Sequence, residues 1–519
     1  MNKLYKYAIL AVGVAVMPGC TGDFEEMNTD PDSFTTLDEG DLSGLLLGAI
    51  GNMMDYSGYQ VTKGLFCDLY SQYFATNVTY FASDRYTYVT SWQETMWNLY
   101  RYVGARVLAI KETAGEDSPE AALADIVWVN TFNGLTDYHG PIPYFGSCEG
   151  EGVAFNPQDE IYDDFFERLE NAVSILKNEV SGSTVLADGD RIYGGDVDKW
   201  IKFANTLRLR LALRISAVEP EKAKTEAEAA YASGVFESND DNAIYAGGTS
   251  NSLFYNQLSR TGAWHEFSMS STIYSYLKGW SDPRLSIYFQ PAVSTGEFGS
   301  IRNGMPTSDI NDENHTTGAY TSNVGTLWVV YDEDGNCSGD YSKDIEVMRY
   351  DESLFLRAEG ALNGWSMGGT AEDLYEAGIR ASMEYWGVEE SLIDPYINST
   401  AVPVAPGDFY DSEAVCSLQV KWGSSESIQR QQIGTQKWLA LYPNGMEAWA
   451  EYRRSGYPTM YPIIDSDDSD LPEGTFIQRI NYPEEEYTSD EDNVMGGVEL
   501  LGGVDSQATP LWWSKAANE

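Results

Sequence analysis

The chain has 519 residues, and its 80 Asp and Glu residues against 32 Lys and Arg give a formal net charge of −48. This charge repels phosphate backbones and anionic lipid head groups, so nucleic acid is a poor partner. Because acidic residues are so numerous, pairs of carboxylates occur by chance and do not indicate a catalytic site. The three histidines show no His-Glu-x-x-His spacing, and no Gly-x-Ser-x-Gly motif is present, which leaves little basis for histidine catalysis.

Residues 1–19 show the features of an export signal in the usual order. Lys3 and Lys6 precede an apolar stretch that begins at Tyr7 and ends just before Cys20, as in a secretory signal. A cysteine directly after the cut resembles the bacterial lipoprotein signal, whose Cys is acylated. The stretch is shorter than the roughly 20 helical residues that span a bilayer. We therefore expect a mature chain of residues 20–519 held at a membrane by lipid on Cys20; the alternative is an ordinary cleaved signal with an incidental Cys.

Helical periodicity dominates much of the mature chain. Residues 200, 203, 204, 207, 211 and 215 share one helix face, while Lys202, Arg210 and Arg214 can point away. Asp196 or Asp198 can cap the start of this helix. Further helices are predicted at 90–111, 119–135, 159–178, 220–233, 345–363, 370–386 and 425–440.

Two helix pairs have the length and packing of tetratricopeptide-like units: 119–135 with 159–178, and 200–215 with 220–233. We therefore predict a mainly α fold, with tetratricopeptide-like helices over roughly 90–235 within a single large domain. Helices and loops are expected again over 345–519.

Two segments lack helical periodicity. Residues 239–341 mix Gly, Ser, Asn, Asp and Thr with aromatic residues, and residues 74–92 form a second aromatic-rich, helix-poor segment. Few helices and a few short strands are predicted there. Because binding residues concentrate on loops held by a rigid scaffold, these irregular loops are where we expect a ligand surface.

One acidic motif begins like a calcium loop. Asp332-x-Asp334-x-Asn336 is followed by Cys337 and Lys343, where an EF-hand needs Gly and a bidentate Glu. We interpret the motif as a polar hairpin turn, with calcium binding left open as the alternative, and we predict no cofactor.

The cysteines give no clear site either. They have no Cys-x-x-Cys spacing, which disfavours zinc. Export permits disulfides, and free thiols are equally compatible with a chain of this size, so their state is left open. The cysteines concerned are Cys67, Cys148, Cys337 and Cys416.

Short sequence motifs, called boxes below, are spread over almost the whole mature chain and match the motifs of one family in the same order. They are Asn28-Thr29-Asp30-Pro31, Thr136-Asp137-x-x-Gly140-x-Ile142-Pro143-Tyr144, Trp200-x-x-Phe203-Ala204-Asn205-x-Leu207-Arg208-x-Arg210, Leu354-Phe355-Leu356-Arg357-Ala358-Glu359, Gln436-Lys437-Trp438, Pro443-Asn444-Gly445-x-Glu447-Ala448-Trp449-x-Glu451-x-Arg453-Arg454-x-Gly456-Tyr457-Pro458, Arg479-Ile480-x-Tyr482-Pro483, Asp505-Ser506-Gln507-Ala508-Thr509 and Trp512-Trp513. With these boxes the chain resembles the SusD/RagB family of outer-membrane lipoproteins.

The resemblance implies a predominantly α-helical fold with tetratricopeptide-like pairs, and loops that bind a nutrient at the cell surface. It implies no reaction. In that family the lipoprotein caps a SusC-like TonB-dependent outer-membrane transporter and hands it an oligosaccharide or, in some members, a peptide. The boxes themselves read as scaffold: Arg208, Arg453 and Arg454 can pair with carboxylates such as Glu447 or Glu451.

Sugar rings present an apolar face and a rim of hydroxyls, which suit flat aromatic rings and polar side chains respectively. We therefore predict a glycan site on the two irregular segments, while each aromatic residue alone could equally pack a loop. Affinity near millimolar, about −4 kcal/mol, is expected for a shallow, wet site. The alternatives are a peptide-binding lipoprotein of the same fold and, less favoured, a surface glycoside hydrolase. The candidate residues are Asn77, Tyr80, Phe81, Arg85, Tyr86, Tyr88, Trp264, Asn303, Tyr320 and Trp328.

Overall fold

A computed structural model describes residues 37–53, 58–148, 152–248, 255–312, 316–471 and 474–514. The predicted signal segment, Cys20 and the Asn28–Pro31 box lie outside these residues. The chain divides into two units, Met1–Asp41 and Leu42–Glu519. In the first unit the structure describes only residues 37–41, where Asp38 accepts a hydrogen bond from the Gly40 N–H. Everything below concerns the second unit.

Helices provide most of the regular structure, which confirms the mainly α fold class. Those of six or more residues are α1 (Leu42–Met53), α2 (Ala105–Ala114), α3 (Pro119–His139), α4 (Gln158–Glu179), α5 (Val197–Arg214), α6 (Pro220–Ser233), α7 (Gln257–Trp264), α8 (Ser271–Gly279), α9 (Tyr350–Leu362), α10 (Ala371–Tyr385), α11 (Glu390–Ile397), α12 (Glu426–Leu441), α13 (Gly445–Ser455), α14 (Glu484–Ser489) and α15 (Glu491–Leu501). No described helix combines the length and apolar composition that crossing a bilayer requires.

Short α-helical and 3₁₀ turns and two π-helical segments connect these α-helices. The α-helical turns are Asp68–Tyr70, Thr90–Gln93, Leu285–Tyr288 and Thr307–Ile310; the π-helical segments are Gln60–Cys67 and Tyr100–Gly104; the 3₁₀ turns are Ala82–Arg85, Glu94–Trp97, Ala187–Gly189, Asn239–Asp241 and Trp512–Ser514.

The described strands are short and form antiparallel pairs. The pairs are β1 (Phe74–Thr76) with β5 (Phe267–Met269), β2 (Ile142–Pro143) with β3 (Phe155–Asn156), β4 (Ala243–Tyr245) with β8 (Ile345–Met348), and β6 (Val329–Tyr331) with β7 (Cys337–Gly339). The β6–β7 hairpin confirms the turn predicted at Asp332: its Oδ1 accepts from the N–H groups of Asp334 and Asn336 at 3.0 and 2.8 Å.

The predicted helix pairs are confirmed: α3 packs on α4, and α5 packs on α6. Asp196 caps α5, accepting hydrogen bonds from the N–H groups of Asp198 and Lys199, and Pro220 is the first residue of α6. The prediction that Arg210 and Arg214 point away from the core is wrong. Both are buried in the interior, because carboxylates from other helices neutralise them there.

Three further predictions need correction. The single helix expected over 90–111 is interrupted by 3₁₀ and π-helical segments before α2, and residues 345–348 form β8 ahead of α9. Pairing of β8 with β4 overrides the helical spacing at this point. The segment 239–341 contains α7 and α8, which are capped by Asn256 and Ser270; these caps were visible in the sequence.

Paired charges tie the central helices together. Arg210 makes a bidentate contact with Glu352 at 2.6 and 2.7 Å, and Arg214 contacts both oxygens of Glu447 at 2.7 and 2.6 Å. These pairs join α5 to α9 and α13. The name ionic core is used below for the buried charged residues Arg210, Arg214, Glu352, Lys437, Glu447, Glu451 and Arg454 together with the partly buried Glu359.

The scaffold interpretation of the arginines holds, with one change of partner. Arg208 pairs with Glu226 at 2.6 Å, and Arg454 pairs with Glu451. Arg453 instead donates to the backbone carbonyls of Asp137 and Gln478 at 2.7 and 2.8 Å. These contacts fix helices and loops.

Candidate ligand-binding face

Pairing of β1 with β5 brings the two irregular segments together. Just beyond the strands, the Asn77 N–H donates to the Glu266 carbonyl at 3.2 Å. The Asn77 side chain donates to the His265 carbonyl at 3.1 Å and to Ser268 Oγ at 2.7 Å. Residues 77–81 and 264–266 therefore lie side by side although nearly 190 positions separate them.

A third stretch, residues 317–331, closes against this pair. Thr321 and Ser268 share a hydrogen bond of 2.6 Å. A methyl group on Gly318 would come within 3.2 Å of both Asn77 Nδ2 and His265 Nδ1, so glycine allows this close approach of the backbone without crowding either group. The surface formed by residues 77–81, 264–266, 317–320 and Tyr331 is called the loop face.

Two aromatic rings stand out on the loop face. Tyr80 is 59% exposed and Trp264 is 40% exposed. Tyr80 donates its hydroxyl to Glu266 and packs edge-on against Phe81 at 4.8 Å, and Phe81 stacks on Phe267. These contacts hold the Tyr80 ring while leaving much of it open to solvent.

Trp264 has a support of its own. It ends α7, and the Arg260 guanidinium one turn earlier lies 5.1 Å from the centre of its ring. Next to it, His265 adopts a left-handed backbone with φ of 49°, and its Nδ1 shares a 2.7 Å hydrogen bond with the Tyr331 hydroxyl. Asn323 donates to the same hydroxyl at 2.9 Å, which fixes Tyr331 beside the histidine.

Three titratable groups of the loop face, Tyr80, His265 and Tyr331, are held neutral. The hydrogen bond to Glu266 raises the pKa of Tyr80 to about 12. Burial lowers the pKa of His265 to about 4 and raises that of Tyr331. At neutral pH the face therefore offers uncharged rings, hydroxyls and an imidazole, with the carboxylate of Glu266 at one side, which suits hydroxyl-rich ligands.

Beneath the loop face lies a buried polar hub formed by Asp84 and Asn303. Asn303 Nδ2 donates to Asp84 at 2.9 Å and to the Phe74 carbonyl at 2.8 Å, and its Oδ1 accepts from Ser270 Oγ at 2.7 Å. The Thr76 N–H also donates to Asp84 at 3.2 Å. The hub thus connects β1, the turn at 82–85 and the start of α8, and burial raises the pKa of Asp84 to about 6.

The comparisons with known proteins agree with this architecture. A family model described as SusD-like, "Susd and RagB outer membrane lipoprotein", matches residues 48–514. The chain belongs to the SusD-like family. A comparison with curated proteins gave no match.

Solved structures of SusD homologues are similar over nearly their whole length. A chitin-binding SusD homologue from Flavobacterium johnsoniae is 33% identical, covers 91% of this chain and 98% of its own, and has a TM-score of 0.82. A SusD-like protein from Bacteroides thetaiotaomicron is 30% identical, with coverage of 91% and 98% and a TM-score of 0.81. A SusD homologue from Bacteroides uniformis is 31% identical, with coverage of 92% and 100% and a TM-score of 0.81.

In this SusD-like chain, the structure divides the first group of predicted site residues. Asn77, Tyr80 and Phe81 lie at the loop face. Arg85 turns away and pairs with Asp467 at 3.0 Å. Tyr86 is buried, and its carbonyl accepts a hydrogen bond from Gln507. Tyr88 is exposed, but its charged neighbours are Asp505, Glu484 and Glu94, so it borders a different surface.

The second group is divided as well. Trp264 lies at the loop face and Tyr320, half-buried, in its third stretch. Trp328 is only 3% exposed and packs against Trp386 and Tyr442 at 5.8 and 5.9 Å. Like Asn303 and Tyr86, it supports the surrounding loops and has no side-chain surface open to a ligand.

Three polar residues of the loop face were absent from the sequence-based prediction. His265, Glu266 and Tyr331 acquire their positions from partners far away in the chain: Tyr80 lies 186 positions from Glu266, and His265 lies 66 positions from Tyr331. The one local signal was their adjacency, since His265 and Glu266 directly follow Trp264.

Proposed function

We propose that this SusD-like chain is a non-catalytic, lipid-anchored protein of the cell surface that binds an oligosaccharide and delivers it to a SusC-like TonB-dependent outer-membrane transporter. The anchor would be the lipid on Cys20. The observation that carries the binding proposal is the loop face, where the exposed rings of Tyr80 and Trp264 stand beside Glu266 and Tyr331.

The arrangement of this face supports a glycan in particular. Exposed rings held by Glu266 and Arg260 lose little freedom on contact with a sugar's C–H face, so their burial is not offset by ordering. The partly exposed Tyr320 and Tyr331 would serve the hydroxyl rim, while Asn77 is buried and its side chain holds His265 and Ser268 in place. Chitin oligosaccharides are the first ligand to test, because one similar structure is a chitin-binding protein.

The decisive experiment is calorimetry of the protein against chitin oligosaccharides, other glycans and a peptide panel. The double variant Tyr80→Ala/Trp264→Ala should lose detectable glycan binding at an unchanged melting temperature. Phe145→Ala removes another exposed ring, far from these segments in sequence, and should bind as the wild type does. Heat with peptides alone, or equal glycan binding by the double variant, would overturn the proposal.

Two further assays separate the remaining parts of the proposal. Incubation with the bound glycan should release no reducing sugar; release that scales with protein concentration would identify a hydrolase instead. Purification through a C-terminal tag from a native membrane should recover a large barrel protein together with the chain. Consistent recovery of the chain alone would contradict the transporter partnership and leave the glycan assay untouched.

A further inference from the structure

A second concave surface lies on the helical part of the molecule. It is an open groove of about 1080 Å³ between residues 91–105, residues 143–148 with Gly152 and Val153, and α14 with the flanking Pro483 and Asp490. Its wall includes the rings of Trp97 and Tyr100, and Tyr100 is fixed by a 2.7 Å hydrogen bond to the Pro143 carbonyl. This surface is called the acidic groove.

The charges that line the acidic groove are unbalanced. Glu94, Glu485, Glu486 and Asp490 face it, against one cation, Arg101. None of the salt bridges among the described residues includes these four acids. The ionic core, by contrast, pairs each of its acids with a base.

Burial and the neighbouring carboxylates raise the pKa of Glu94 and Glu486. The pKa of Glu94 is raised by burial first and then by Glu485 and Glu484. Burial is also the main cause for Glu486, whose pKa is lowered by a hydrogen bond from Trp97 and raised by Asp490 and Glu485. A bound cation would relieve the part of these shifts that comes from the neighbouring carboxylates.

A polar group in the groove wall also lacks a partner. Ser147 is 4% exposed, and its hydroxyl makes no hydrogen bond within the described part of the chain. Buried hydroxyls are normally satisfied, so an unpaired one in a groove wall indicates room for a ligand or for water.

The spacing of the acids limits the kind of cation. Within the described residues, no three His, Cys, Asp or Glu side chains are arranged to hold a metal ion. The four acids come from two separate segments, 94 and 485–490, and are spread along a groove large enough for a small oligomer. This favours several charges spaced along an organic molecule over a single ion.

We propose that the acidic groove binds a ligand that carries several primary ammonium groups, such as a linear polyamine or an oligomer of glucosamine. The ammonium groups would pair with Glu94, Glu485 and Glu486, while the C–H groups of the ligand pack on Trp97 and Tyr100. This site is separate from the loop face and does not depend on the proposed glycan function.

Titration calorimetry at low salt with spermine and with a glucosamine tetramer tests the proposal. The groove variant is Glu94→Gln/Glu485→Gln. The matched control is Glu167→Gln/Glu179→Gln, which removes the same charge from exposed positions on α4. Binding should weaken about tenfold in the groove variant and stay within about twofold in the control, because short-range charge pairs outweigh the distant net charge.

The outcomes separate cleanly. Binding of spermine alone identifies a polyamine site, and binding of the tetramer alone or more tightly identifies an amino-sugar site. Equal weakening in both double variants would mean general attraction to a protein of charge −48 and overturn the proposal, as would no binding of either probe or an unaffected groove variant. Tyr80→Ala/Trp264→Ala should bind both probes like the wild type, so failure of the glycan proposal would not affect this result.

Discussion

In the ionic core, Arg454 lies buried between Glu359 and Glu451, whereas at the loop face Arg260 lies in solvent above an exposed Trp264. Family boxes supply Arg454 and both of its partners; none of them supplies Arg260 or Trp264. The residues that identify the SusD-like family therefore build the scaffold, and the side chains open to a ligand come from segments between the boxes. A family match of this kind establishes the fold and leaves the ligand to be found.

Two tryptophans that were predicted for the same site, Trp328 and Trp264, give the strongest test of this difference between scaffold and loop face. Trp328→Ala should lower the free energy of unfolding by about 3–5 kcal/mol, because it removes a buried ring that packs on Trp386 and Tyr442. Denaturant titration measures this loss. A change below about 1 kcal/mol would mean that Trp328 is not a core residue in solution.

Arg454→Met tests the ionic core itself. It leaves Glu359 without its partner and Glu451 with Lys437 alone, so a loss of about 3 kcal/mol is expected in the same denaturant titration. Glycan affinity of the folded fraction should stay that of the wild type. Weaker glycan binding at a temperature where the variant is fully folded would contradict the separation of the two regions.

Asp84 is buried under the loop face, so its variants should affect both stability and glycan binding. Asp84→Ala leaves the Thr76 N–H without its acceptor and removes one of the acceptors of Asn303 Nδ2, and it should cost about 2 kcal/mol of stability. It should also weaken glycan binding, because the hub holds β1 under the loop face. Asp84→Asn keeps one acceptor oxygen and should recover part of both losses; equal defects in the two variants would rule out this positioning role.

At the loop face, Trp264→Ala should change stability by less than about 0.5 kcal/mol and weaken glycan binding by about 1 kcal/mol, or roughly fivefold. Calorimetry and thermal unfolding give both numbers on one sample. A destabilisation close to that of Trp328→Ala would show that exposure in the structure does not separate the two tryptophans.

The smallest effect expected is a pH dependence in the scaffold. Burial raises the pKa of Asp68 to about 7, so the folded state binds its proton more tightly than the unfolded state. Stability from this group is present at low pH and is lost as pH rises through the folded pKa, by about 1 kcal/mol between about pH 6.5 and pH 8. The lowered pKa values of His139 and His265 affect stability only at pH values below this window.

Asp68→Asn removes the titrating group and should flatten that part of the stability profile. Glu167→Gln, an exposed acid on α4, serves as the control and should leave the slope as it is. Identical slopes in the wild type and Asp68→Asn would contradict the assignment of the slope to Asp68.

Periodicity and capping residues predicted the helices well wherever the information is local: α6 begins at Pro220 and ends at Ser233 as expected, and Asp196 caps α5. The sequence pattern misassigned residues 345–348, because their strand depends on a partner about a hundred positions away. The burial of Arg210 has the same origin, since Glu352 lies 142 positions further along the chain.

The same limit applies to the candidate site. The prediction took the aromatic residues of the irregular segments as one group, and composition could not distinguish Trp264, at a helix end beside solvent, from Trp328, which packs on Trp386 and Tyr442. The contacts of Glu266 and Tyr331 could not be predicted from the sequence, because they depend on the pairing of β1 with β5 and on the fold around His265. Whether an aromatic ring in a loop is exposed to solvent depends on the residues that surround it in the folded structure.

Hydrogen exchange of the protein with and without saturating chitin oligosaccharide tests the central claim most directly. Bound glycan should slow exchange in residues 76–81, 264–269 and 317–331 and leave α3 to α6 unchanged, because the loops make the contacts and the helices only hold them. Slowed exchange confined to α3 to α6, with none in those three segments, would contradict the account.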